Sequence, residues 1–284
     1  MNAYEMREVL RNNIGEGTAV HWSNKILTKR LNECYLEVGR LVVDSPGDWL
    51  LKKSDSITPS LNRLTLPSDC LRPAYVEEVG SGRKIWINGS VREREGELIS
   101  TGSSALLGMI RGYLLGNYIE IDSPNYGEAC YVWYQPRLVE LACGTCQTGT
   151  DATHVAFNQA NWPSGEDDYY NGLTLHVRDV TSNVLNVNTI ITDYVGSTGI
   201  ATVASAVATP AATDFYGTVP QIPRELLDLV ITKATVKSLA RPNSTFEKEI
   251  FAFWKSLLKD AEEQAQDFLA ARLSGSSYVR VVED

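Results

Sequence analysis

Cys143-Gly144-Thr145-Cys146 is the stretch of this chain with the most direct chemical meaning. Two thiols at that spacing serve thiol–disulfide exchange when the first stands at a helix N-terminus, and they can supply half of a zinc site. Neither context accompanies them here. The flanking residues read as a linker into a Thr/Gly-rich β region, and the nearby histidines, His154 and His176, are 22 positions apart, which is not a finger spacing. The pair is therefore expected to be linker thiols at a domain junction. Glu166-Asp167-Asp168 could bind a cation or carry acid–base work, but the run lacks the alternating oxygen ligands and turn glycine of a calcium loop. It reads as a solvated acidic loop. A phosphate-cradling glycine loop, a G-x-S-x-G and an H-E-x-x-H are all missing from the sequence. The expectation is a protein without catalytic, cofactor or metal residues.

The elements that would carry these residues fall into distinct textures. Met6, Val9 and Leu10 give residues 3–13 one short apolar face. Ser23 can cap a longer helix, whose Ile26, Leu27, Leu31, Cys34, Tyr35, Val38, Leu41 and Val42 form a stripe ended by Asp44-Ser45-Pro46-Gly47. From Trp49 to Glu140 the pieces are short and extended, with strands expected at Lys84–Ile87, Tyr118–Asp122 and Ala129–Tyr134. Leu173, Leu175 and Val177 alternate with Thr174, His176 and Arg178 after an Asn171-Gly172 turn. Further strands are expected at 153–157, 187–195, 200–207 and 215–219, making about five in a small sandwich or barrel. Helix resumes after Pro220, first with Leu226, Leu227, Val230, Ile231, Ala234 and Leu239 on one face. A Ser244–Glu247 capping box then opens a last helix to about Leu273, with Phe246, Ile250, Phe253, Trp254, Leu257, Leu258, Ala261 and Phe268 along it. Gly275 stops that helix, and residues 276–284 read as an extended tail.

Charge supports the same partition. The 284 residues carry 26 Lys+Arg and 35 Asp+Glu, a formal net charge of −9. Residues 1–143 hold 16 basic and 18 acidic side chains, and residues 220–284 hold 9 and 10. Between them, 144–219 has only Arg178 against seven acids, so this stretch supplies −6, and it holds 13 threonines and 9 valines. Branched β-carbons suit strands. The expected fold class is α+β: a bundle of long amphipathic helices with short strands (1–143 and 220–275) and an inserted all-β domain (144–219). An acidic balance argues against wrapping nucleic acid. The odd count of five cysteines argues against a disulfide framework, and neither a leader-like apolar stretch nor an 18-residue apolar run occurs. The expected setting is a cytosol.

Several stretches together resemble the head-to-tail connector (adaptor) proteins of tailed bacteriophages. They are Asp48-Trp49-Leu50 after the second helix, Leu64-Thr65-Leu66-Pro67-Ser68-Asp69-Cys70-Leu71-Arg72, Gly116-Asn117-Tyr118-Ile119-Glu120-Ile121, Tyr131-Val132-Trp133-Tyr134-Gln135-Pro136, and the closing helices from Val219-Pro220-Gln221-Ile222-Pro223. The insert, with Asp167-Asp168-Tyr169-Tyr170-Asn171-Gly172-Leu173 and Ile191-Thr192-Asp193-Tyr194-Val195-Gly196, is similar to a small β module of phage structural proteins. The resemblance implies a ring, usually twelvefold, assembled in the host cytoplasm and built into the virion neck between the portal and a tail protein. Helices would line a channel through which DNA passes without being held. It also implies that the tail, Tyr278, Val279, Arg280, Val281 and Val282, reaches the portal. The insert would project outward. A tail-associated protein binding receptors or carbohydrates through Trp162, Tyr169 and Tyr170 is the alternative, and a thiol oxidoreductase using Cys143 and Cys146 is a third.

Overall fold

A computed structural model describes residues 1–16, 22–45, 49–90, 110–123, 126–161, 163–206, 208–240 and 248–274. The chain divides into two compact units, Asp48–Arg137 and a second made of Met1–Gly47 with Leu138–Asp284.

Alternating apolar residues build the first unit as a sheet. Its strands are β1 (Lys52–Lys53), β2 (Arg63–Thr65), β3 (Cys70–Glu78), β4 (Lys84–Ser90), β5 (Gly112–Leu115), β6 (Tyr118–Ile121) and β7 (Cys130–Pro136). They pair in the order β1-β7-β3-β4-β5-β6-β2, antiparallel except for β4 with β5. Leu64, Val76, Ile85, Ile119, Ile121 and Val132 fill one face, together with Tyr126, Cys130 and Tyr134. Each is at most 8% exposed. This sheet curls as a half-barrel, so the short strands enclose a core of their own.

Among the described residues the second unit combines another curled sheet with four α-helices. Its strands are β8 (Cys143–Thr145), β9 (His154–Ala156), β10 (Thr174–Arg178), β11 (Leu185–Val195), β12 (Ile200–Val203) and β13 (Phe215–Thr218), in the all-antiparallel order β8-β13-β10-β11-β12-β9. The core is unusually aromatic. Phe157 stacks on Tyr216 at 4.3 Å, and Tyr170 meets Tyr194 edge-on at 4.7 Å. Val155, Leu175, Val177, Val187 and Ile191 pack around these rings. The helices are α1 (Ala3–Asn13), α2 (Asn24–Asp44), α3 (Leu227–Leu239) and α4 (Lys248–Ser274).

Helix α1 packs on β13, with the Tyr4 ring stacked 4.4 Å from Phe215. The approach is close enough to need glycine: a Cβ on Gly217 would lie 2.7 Å from the Tyr4 nitrogen. Arg178 on β10 bonds Glu5 at 3.0 Å and ties α1 to a second strand of the same sheet.

The expected bundle of long amphipathic helices is therefore wrong. The molecule is mostly β, with two curled half-barrel sheets, and its described residues hold four helices that do not make a bundle of long amphipathic ones. Helix α3 explains part of the error. It is buried on nearly every side, through Leu227, Leu229, Val230, Ile231, Ala234, Thr235, Val236, Ser238 and Leu239, so its apolar residues do not mark one stripe of a bundle. The remainder lies in the extended pieces of 49–137, which close on a core of their own and do not decorate a helical frame.

Candidate functional site

The two thiols of Cys143-Gly144-Thr145-Cys146 do not converge. Cys143 begins β8, an edge strand paired to β13 through Gly217, and is not in a linker. Side chains alternate along an extended strand, so an offset of three sends them to opposite faces. The Cys143 sulfur meets the helices, 3.6 Å from Arg7 Nη1 and 3.5 Å from Thr28 Oγ1. Cys146 points into the aromatic core, where burial pushes its thiol up to about 12. All five cysteines are free thiols, and only Cys70 is not buried. This geometry suits neither thiol exchange within the pair nor a shared ion.

The histidines are also apart. His176 on β10 and His154 on β9 are separated by β11 and β12, about 14 Å at ordinary strand spacing. His154 Nδ1 lies 3.0 Å from Asp151 Oδ2 in a local turn. Among the described residues no three His, Cys, Asp or Glu side chains gather to hold a metal.

The acidic loop is pinned at two points. Asp167 Oδ1 accepts the Gly196 amide at 2.9 Å, and Asp168 Oδ1 accepts Asn171 Nδ2 at 2.7 Å. Glu166 remains exposed. Tyr170 is 2% exposed and belongs to the core, so it presents no face to a sugar. Tyr169 is half-buried, and its hydroxyl lies 3.4 Å from the Glu140 amide that donates to it. Trp162 and the whole segment Tyr278–Val282 lie outside the described residues.

Sequence reasoning missed two surfaces. The first is the outer face of the seven-stranded sheet. Register places Lys53, Trp133, Tyr75 and Trp86 in one row across β1, β7, β3 and β4. Tyr75 is 5.7 Å from Trp133 and 5.4 Å from Trp86. Lys53 Nζ stands 3.7 Å above the Tyr131 ring, and Lys84 Nζ 4.7 Å above Tyr75. Glu77 accepts Trp133 Nε1 at 2.7 Å and Lys53 Nζ at 3.2 Å, and these donors hold its carboxyl below the usual range. Ammonium groups thus cover the faces of Tyr131 and Tyr75. Trp86, 59% exposed, is the open end of the row. Such a mixture of Trp and Tyr is the composition of protein-binding hot spots. The signal was the outward placement of Tyr75, Trp86, Tyr131 and Trp133, which means little until the strands are paired.

The second surface is α4. Of its described side chains only Ala265 is buried, while Ile250 is 40% and Phe253 57% exposed. Trp254, Leu257, Leu258 and Phe268 are half-buried. Among the described side chains this 27-residue helix therefore carries an apolar strip that is half-buried or open.

Comparison with protein-family models and with curated proteins returned no match.

Proposed function

We propose that the protein is a structural assembly component, the head-to-tail adaptor of a tailed bacteriophage, which forms a ring beneath the portal and joins capsid to tail around the DNA channel. The observation that carries this reading is the uncovered apolar length of α4, with Phe253 and Ile250 open to water. A second copy seated on that face would bury it, and repeating one head-to-tail contact closes a ring. The resemblance of the stretches quoted above supplies the place in the virion. Charge adds support, since the segments outside the insert, at −2 and −1, carry no excess of basic side chains to hold phosphates. In this reading Tyr278–Val282 engages the portal, twelve copies form the ring, and no step of chemistry is required. The carbohydrate-binding alternative is the weaker, because Tyr170 is a core residue.

The test is the mass of the protein alone and mixed with its portal. Unaltered protein is expected to enter a ring on the portal. Phe253→Asp, placed on an exposed position, is expected to stay monomeric with an unchanged melting temperature. Equal assembly by Phe253→Asp and the unaltered chain would sink the reading. A chain truncated after Ser274 should still fold and should bind portal more weakly.

A further inference from the structure

Helix α4 rests on α3 and turns about 100° per residue, which sorts its exposed side chains into two edges. Phe253 marks the first edge. Ile250 lies about 60° from it on one side, and Asp260 and Glu249 lie about 20° and 40° from it on the other. All four are exposed. Lys255 and Lys259 make the second edge, about 160° and 120° around the helix from Phe253. Both are exposed, and the Lys255 ammonium stands 5.3 Å from the Phe251 ring.

The remaining charges fix where each edge is complementary to the other. Lys259 meets Glu263 of its own helix at 3.6 Å, with 78% and 64% of those side chains exposed, so solvent leaves that pair easy to exchange. Past Lys259 the second edge turns acidic. Glu262 and Asp44 line the groove between α4 and α2 there, and the Lys233 beside them bonds Glu37 at 3.2 Å. Asp267, also exposed, continues the acidic row of the first edge. The second edge is therefore basic along the first half of α4, level with Phe253. Lys259 is one residue from Asp260, about 1.5 Å of rise, and Lys255 is two from Phe253, about 3 Å.

We propose that the Phe253 edge is covered by a second copy of this chain, through the Lys255–Lys259 edge of that copy's α4, with the two helices parallel. Asp260 then faces the neighbour's Lys259, and Phe253 lies on the neighbour's Phe251 ring and the alkyl stem of its Lys255. A two-fold contact uses one patch on both copies, whereas these complementary edges point apart. Each copy thus keeps one edge of each kind to offer, and the contact repeats head to tail. The proposal deepens the adaptor reading, on which it rests for the ring's place beneath the portal, by naming both halves of the contact.

Sedimentation of the full chain at rising concentration, alone and with its portal, tests the contact. The unaltered chain should associate past the dimer. Glu249→Lys with Asp260→Lys reverses the first edge, and Lys255→Glu with Lys259→Glu reverses the second. Each double change sits on exposed positions and should leave the melting temperature unchanged. By setting like charges opposite each other, each should weaken association about a hundredfold. Mixed in equal amounts, the two variants should associate again, because every edge then meets its complement. An unaltered chain that stays monomeric both alone and on the portal, or that stops at the dimer, would overturn the proposal. So would either variant associating as strongly as the unaltered chain, or a mixture that stays apart. Rings of both variants on the portal equal to the unaltered one would overturn this contact and leave the adaptor reading standing. Association that passes every charge test but builds nothing on the portal would support the contact and refute the adaptor reading.

Discussion

Replacing Glu78 by glutamine should cost the seven-stranded sheet most of the stability one carboxylate can contribute there. The Glu78 side chain is 6% exposed. It accepts from Ser81 and Arg83, and from the Tyr126 hydroxyl at 2.6 Å. Burial pushes its carboxyl up, but those donors outweigh burial and hold it at about 2, against an ordinary 4.5. At about 1.4 kcal/mol per pH unit the shift corresponds to a ceiling of about 3 kcal/mol. Arg83 is 47% exposed. Solvent screening therefore reduces the figure to about 2 kcal/mol. Because the folded value is the lower one, the contribution is complete above the unfolded value near 4.5 and fades as pH falls toward 2. Urea unfolding followed by hydrogen exchange on β3 and β4 should show Glu78→Gln destabilised by about 2 kcal/mol at pH 6, and by about half of that at pH 3. A cost that stays the same at both pH values would mean that packing, and not the ionised carboxylate, holds this corner. The reasoning would then be wrong.

Three other outcomes are expected. Gly217→Ala would place a Cβ 2.7 Å from the Tyr4 nitrogen and 2.9 Å from Asn2 Oδ1, so α1 must shift. A loss of about 2 kcal/mol in thermal unfolding is expected, together with faster exchange in α1. Asn32→Ala removes both the donor to the Leu141 carbonyl at 3.0 Å and the acceptor for the Leu141 amide at 2.8 Å, and should cost about 2–3 kcal/mol by denaturant titration. Under native conditions a thiol reagent should label Cys70 first, and mild oxidation should leave the mass free of a Cys143–Cys146 link, as read by peptide mapping.

What was legible in the sequence was local. The Ser23 cap can be read from residue types, and its hydroxyl receives the Ile26 amide at 3.4 Å. The Leu175–Val177 alternation became β10, and Gly172 before it has φ of +81°, as an Asn-Gly turn requires. Pairing was not legible. Strand β8 is three residues without alternation, and its partners at 215–217 lie about seventy positions further on, so Cys143-Gly144-Thr145 looked like a linker. The capping box read at Ser244–Glu247 lies outside the described residues, whereas a real one, Asn2 with Glu5, was overlooked. Buried arginines were invisible too. Arg7 is 2% exposed because Glu8, Cys143 and the Tyr4 ring surround its guanidinium, a set that exists only after folding. The aromatic row failed for the same reason: Trp133 and Trp86 are 47 positions apart and meet only through Tyr75.

Both sheets end in very short strands: β1 and β2, of two and three residues, and β8 and β9, of three each. An incoming strand could form only a few ladder bonds on any of them, too few to template fibrous growth or to hold a partner by backbone alone. Copies of this protein are thus protected from joining sheet edge to sheet edge even at high concentration. Any ordered assembly has to be written in side chains, where specificity is cheapest to encode.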